Sequence, residues 1–293
     1  SPLYAEELGL DPRTTYRAIL DDLRPQALRL VDYWNRAEKT PGANDFSELD
    51  WQIQEAETRH LPVTLAIGYR TPRWPECHIP DWANKLPPKD FEKALDDHLR
   101  AVVEHYKNSP AVVMWQVENE PLLSVFGQCP TPDEALLKRE VAFVRSLDSK
   151  PVMVTDSGEL GFFPRAAGLS DVFGTTLYRY IWNKTFGFFT HIFPPPFYTL
   201  RAWLTTTFSS TKHVVIAELQ AEPWSIGERP IAEVPFQEQT TQFGVPELKY
   251  IVGFAKRTGI EQIYLWGPEW WYYRLRHGDP SFWKAGQIIF LGL

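Results

Sequence analysis

Apolar residues recur at spacings of three and four along the most regular stretch of the chain, Asp90 to Lys107. Phe91, Ala94, Leu95, Leu99, Val102, Val103 and Tyr106 share one face there, which predicts an amphipathic helix. Pro110 resets the backbone, and Val112 to Val117 (VVMWQV) then has the continuous apolar character of a buried strand. The same alternation runs through the rest of the sequence. Asp11-Pro12 forms an N-cap and first-turn proline ahead of Tyr16, Ile19, Leu20 and Leu23, and Ala27 to Trp34 follows as a strand. After the break at Pro41-Gly42, Phe46, Leu49, Ile53 and Ala56 mark a helix leading to a strand from Val63 to Gly68. Thr131-Pro132-Asp133-Glu134 has the form of a capping box with Thr131 as cap, opening a helix towards Leu147. Further strands are predicted at Val152 to Thr155, Val172 to Leu177, Val214 to Leu219 and Gln262 to Trp266. Pro194-Pro195-Pro196 and the aromatics around it suggest a long excursion over one end of the fold.

Strands separated by helices imply right-handed parallel crossovers and a sheet covered on both faces. No glycine-rich phosphate loop follows a strand, and Asn119-Glu120, Tyr178, Glu218 and Trp266 all fall at strand C-terminal ends, where α/β barrels place their active sites. The expected fold is therefore a (β/α)8 TIM barrel, with residues 1–293 forming one catalytic domain. A barrel needs eight strands and the pattern supplies seven, so the first strand is expected upstream of Ser1. The chain around Ser1 to Tyr4 would then emerge at the catalytic face, with an export signal or tether in the upstream sequence. This expectation favours an extracytoplasmic protein over a cytoplasmic one.

Composition narrows the partners. A net charge of -7 gives no basic excess for nucleic acid, and no apolar run approaches the roughly 20 residues of a membrane span. Cys77 and Cys129 are either bridged or free, which spacing does not decide. The 12 Trp residues matter more, because the C–H face of a sugar ring packs on an indole. Trp74, Trp82, Trp224, Trp270 and Trp271 are each read first as packing residues, with one or two as ligand contacts. The seven histidines are dispersed; His98 and His105 read as helix surface or core, and neither a metal nor a cofactor is expected.

Chemistry concentrates where two strands end in carboxylates, VVMWQVENEP closing on Glu120 and VVIAE closing on Glu218. Two strand-end acids across a barrel are what glycosidic bond cleavage requires. Glu118 and Glu222 compete with them, and strand alternation would turn Glu118 to the same side as Glu120. Arg29, mid-strand in RLVDYW, is either a cation near Glu218 or part of a structural ion pair; Tyr178 is either a phenol donor to Glu218 or a core tyrosine.

The segments RLVDYW, WQVENEP, VVIAELQAEPW and YLWGPEWW resemble the clan of retaining (β/α)8-barrel glycoside hydrolases that includes the cellulase-like and β-galactosidase-like families. The resemblance spans nearly the whole chain. It implies that Ala27 to Trp34 is strand two, that Glu120 at the end of strand four is the acid/base, and that Glu218 at the end of strand seven is the nucleophile. The Asn-Glu-Pro match thereby selects Glu120 over Glu118. It also implies that Asn119 bonds the sugar 2-hydroxyl, that Trp266 floors the cleaved sugar, that Arg29 belongs to the site, and that Glu269 accepts from other hydroxyls. The function it implies is hydrolysis of β-linked oligosaccharides or glycosides through a covalent intermediate. The rival reading is a non-catalytic or truncated carbohydrate-binding barrel, with a metal-dependent barrel hydrolase a weaker third. Sugar, linkage and oligomeric state are left open.

Overall fold

The structure, a computed structural model, describes residues 1–161, 163–183, 185, 187–224 and 229–292. All seven predicted strands are present: β1 (Leu28–Val31), β2 (Val63–Ile67), β3 (Val112–Val117), β4 (Val152–Asp156), β5 (Val172–Leu177), β8 (His213–Gln220) and β9 (Ile263–Trp266). Between β5 and β8 lies a hairpin that the sequence pattern did not announce, β6 (Tyr180–Asn183) paired antiparallel with β7 (Gly187–Thr190). β1 to β4 lie side by side in chain order, and β8 lies beside β9.

The chain divides into two compact units. The first comprises Gln26–Gly174 and Leu204–Val214 and holds β1 to β4. Its strands pair in parallel, Leu28 beside Val63, Leu65 beside Trp115 and Trp115 beside Val152. β2 and β4 are buried along their whole length, as strands covered on both faces must be. A register shift between β2 and β3 leaves Val113 without an opposite residue and turns it out to solvent. The predicted long helix runs Pro88–Tyr106, with its proline in the first turn, where no N–H partner is needed. It buries Leu95, Leu99, Val102, Val103 and Tyr106, each stabilising by about 1.5–3 kcal/mol on full burial.

His98, on the same face, is also buried, its Nε2 bonded to Asp32 Oδ2 at 2.7 Å and its ring stacked on Trp34. His105 instead sits at the surface against Asp50. Cys77 and Cys129 form a disulfide, so the chain beyond β2 and the chain beyond β3 are tied together.

The second unit comprises Ser1–Pro25, Thr175–Trp203 and Val215–Leu293 and holds the parallel pair β8 and β9. Trp270, Trp271, Phe254 and Phe282 fill its core, so Trp270 and Trp271 are packing residues. Trp271 Nε1 donates to Ala221 O and Trp270 Nε1 to Gln239 Oε1, which satisfies both indoles where they are buried.

One local expectation differs from the outcome. The cap of the helix Glu134–Leu147 is Asp133, not Thr131: its Oδ1 accepts from Ala135 N at 2.8 Å and Leu136 N at 3.1 Å. A carboxylate next to the first turn satisfies two orphan donors and complements the helix dipole, which a threonine two residues earlier does not do. Within the long stretch between β5 and β8, the proline run opens a helix, Pro195–Phe208, since prolines in a first turn cost no hydrogen bond. Among the described residues no helix is long and apolar enough to cross a membrane, and no group of three His, Cys, Asp or Glu side chains could hold a metal ion.

Candidate active-site clusters

β3 ends at Val117, and the next residues leave strand geometry at once. Glu118 has φ +58° and Glu120 φ +45°, left-handed conformations that cost a non-glycine residue about 1–2 kcal/mol each. Strand alternation therefore does not govern this stretch. The Glu118 carboxylate turns to the end of β2 and accepts from Tyr69 N at 3.0 Å and Arg70 N at 2.6 Å. Glu118 is buried, and burial pushes its carboxyl up to about 8 against the lowering effect of those two amides and of Arg70. Glu140, buried on the helix Glu134–Leu147, is held well above the ordinary range first by burial and then by the charge of Glu118.

Asn119 is fixed from every side. Its N–H donates to Arg70 O at 2.6 Å, and its Oδ1 accepts from Arg29 Nη2 at 2.7 Å, Thr155 Oγ1 at 3.0 Å and Gln116 Nε2 at 3.2 Å. Its Nδ2 donates to Glu76 Oε2 at 3.1 Å. Arg29, half-buried on β1, also donates from Nε to Gln116 Oε1 at 2.6 Å. Glu120 N donates to Thr155 Oγ1 at 2.8 Å, and the residue is 7% exposed. Thus Arg29, Asn119 and Glu120 are brought together, with Glu76, Gln116 and Thr155 as partners that sequence reasoning missed. Gln116 and Thr155 left a trace, being polar residues inside apolar strand runs. Glu76 left none, because its role depends on a loop conformation.

In the second unit, Glu218 lies on β8 where pairing with β9 slips: Ile216 faces Ile263, but Leu219 faces Leu265. Three steps on one strand match two on the other, and the extra residue re-aims the side chains between them. Glu218 is buried, and Tyr178 donates its phenol to Glu218 Oε2 at 2.8 Å. Trp224 stands edge-on to the Tyr178 ring, 5.4 Å between centroids. Gln220, two residues beyond Glu218, accepts from Arg179 N at 3.0 Å and Tyr180 N at 2.9 Å and donates to Tyr180 O at 2.6 Å. It holds the segment that carries Tyr178, a role the sequence did not reveal.

Trp266 closes β9 half-buried, its carbonyl accepting from Ala221 N at 2.9 Å. Glu269 is buried in the first turn of the helix Pro268–Arg276. Glu222 is also buried, packed so close to Gly267 that a Cβ there would meet the Glu222 Cβ at 2.7 Å.

A scan against models of known protein families finds no match. Among solved structures, the chain is similar to a thermostable mutant of a xylanase from Cellvibrio japonicus, with a TM-score of 0.65 at 12% identity, covering 96% of this chain and 93% of that one. It is similar also to a β-galacturonidase from Eisenbergiella tayi bound to galacturonate, with a TM-score of 0.60 at 16% identity, covering 96% of this chain and 47% of that one. These likenesses show the fold, a (β/α)8-type barrel, as expected from the sequence. In sequence, 180 residues are 29% identical to a probable mannan endo-1,4-β-mannosidase of Aspergillus terreus. That match takes in 55% of this chain and 44% of the relative, so the chain spans less than half the length of the curated protein it matches.

Proposed function

We propose that this protein is a retaining glycoside hydrolase acting on β-linked sugars by double displacement. The observation that carries the reading is that each of two strand-end glutamates sits in the motif of its role and among suitable partners. Glu120 follows the pinned amide of Asn119, and Glu218 receives the Tyr178 phenol. In the first step a Glu218 oxygen attacks the anomeric carbon, the glycosidic C–O bond breaks, and Glu120 gives its proton to the departing oxygen. In the second, Glu120 takes a proton from water as that water attacks the same carbon and releases Glu218. Asn119 and Arg29, with Trp266 and Glu269, are assigned to binding the sugar. Retention requires the two carboxyl groups at about 5 to 5.5 Å separation. The likeness to a mannan-cleaving enzyme makes β-1,4-mannan the first polymer to assay, beside a panel of 4-nitrophenyl β-glycosides. The Cys77–Cys129 bridge supports an oxidising, extracytoplasmic compartment.

The test separates the two glutamates. Glu218→Gly abolishes turnover and leaves space for azide to attack the anomeric carbon from the nucleophile's face, giving an inverted glycosyl azide. Glu120→Ala spares the first step for substrates with good leaving groups, accumulates the intermediate, and with azide gives a retained glycosyl azide. Interchanged products would reverse the roles. Less than roughly a hundredfold loss in both variants would remove both residues from the chemistry. Saturable mannan binding without turnover of any substrate would mean a carbohydrate-binding barrel.

A further inference from the structure

The loop after β2 is built with unusual care around one carboxylate. Arg73 and Glu76 both lie in the left-handed region, at φ +93° and +71°, and both are buried. Such conformations persist only where surrounding contacts over-determine them. Here the contacts converge on Glu76. Its N–H donates to Arg73 O at 2.7 Å, and its carbonyl accepts from Thr71 N at 2.8 Å. Its neighbour Pro75 accepts from Gln128 N at 2.9 Å, and its neighbour Cys77 is bridged to Cys129. Gly127 passes so near that a Cβ there would meet Glu76 Cβ at 2.8 Å. Arg70 ties the same two segments together, donating to Leu123 O at 2.8 Å and Phe126 O at 3.0 Å.

All this fixes the Glu76 carboxylate against the Asn119 amide. Asn119 Oδ1 already accepts from three donors, so the opposite flip of the amide would set its NH2 against Arg29, Thr155 and Gln116. One Nδ2 hydrogen is taken by Glu76, which leaves the other, and only a donor, for a ligand. We infer that Glu76 is a positioning residue: held by the bridged loops, its carboxylate fixes the Asn119 amide so that Asn119 offers a single N–H donor to an accepting oxygen of the substrate. This rests on the reading of Asn119 as a sugar-binding residue.

The test joins kinetics to a readout that needs no turnover. On the 4-nitrophenyl β-glycoside that the wild type cleaves best, Glu76→Ala lowers kcat/KM about tenfold, the size of one lost hydrogen bond to a charged group. In an Asn119→Ala background the same change costs less than about twofold, because the group it positions is gone. Glu76→Gln, which keeps an accepting oxygen, restores most of the loss. Separately, selective 15N labelling of asparagine shows the Asn119 side-chain NH2 signals, identified by their disappearance in Asn119→Ala. Their exchange with water is slow in the wild type and in Glu76→Gln and fast in Glu76→Ala. Full multiplication of the Glu76 and Asn119 losses, or unchanged exchange in Glu76→Ala, overturns the assignment. If the wild type cleaves no glycoside, the function proposed above fails, and the exchange measurement alone decides the role of Glu76.

Discussion

Glu118 and Glu120 stand two positions apart in one motif and have opposite surroundings. Glu118 is spent on the backbone, clamping Tyr69 and Arg70 amides, whereas the backbone of Glu120 is clamped by Thr155. The Glu118 clamp works only because residue 68 is glycine. Gly68 has φ +118°, and a Cβ there would lie 2.0 Å from Glu118 Oε1. Gly68→Ala therefore combines a backbone conformation that alanine resists with an overlap against a buried carboxylate that has no room to retreat. It should destabilise the protein by about 1–3 kcal/mol from the overlap alone, read from the midpoint of urea unfolding. An unchanged midpoint would mean that the clamp is not under tension at Gly68.

Between elements, the two units use one device twice. A side chain at or just past a strand end, Glu118 after β3 and Gln220 as the last residue of β8, accepts two consecutive backbone amides, 69–70 after β2 and 179–180 after β5. Gln220 does this without charge. Glu118 does it as a buried acid beside Glu140, and the difference is visible in pH dependence. Both carboxyls are raised above the ordinary value of 4.5, so the folded protein holds protons that the unfolded chain has released. Their contribution to stability is fully present below about pH 4.5 and is lost as pH rises, for Glu118 through about 8. His78 acts on the other side: burial lowers it to about 4, so its contribution falls as pH drops below 6.5. Glu140→Gln removes one of the two buried acids and its repulsion of Glu118. The Tm of this variant should fall less between pH 5 and pH 8 than that of the wild type, while the acid limb is unchanged. Parallel Tm curves across that range would show that Glu140 does not titrate with folding.

For the whole molecule, the covalent link is the Cys77–Cys129 bridge, which closes a loop with a sequence separation of 52. Chain-entropy reasoning assigns such a loop about 4 kcal/mol, as an upper value when the unfolded chain retains structure. Replacing both cysteines by serine should lower the free energy of unfolding by about 2–4 kcal/mol in a urea titration. A loss under about 1 kcal/mol would mean that the hydrogen bonds of Arg70 and Gln128 suffice to hold the two loops.

The order of elements was legible along the chain, because burial on both faces of a parallel sheet demands apolar runs and helices between strands demand a three-and-four rhythm. All seven strands followed from that, as did the helix Pro88–Tyr106. The hairpin Tyr180–Asn183 with Gly187–Thr190 did not, since none of its residues is buried and no distinctive turn pair joins its strands. The candidate acids were also legible, because a carboxylate at a strand end is a departure from an apolar pattern. Their surroundings were not. That Glu118 turns to β2, that the Asn119 amide oxygen is taken up by Arg29, Thr155 and Gln116, and that Glu76 lies beside it depend on left-handed backbone at 76, 118 and 120 and on partners up to 90 positions away. Periodicity reports which face a residue takes within its own element; which side chains from distant elements meet is decided only when the chain is packed.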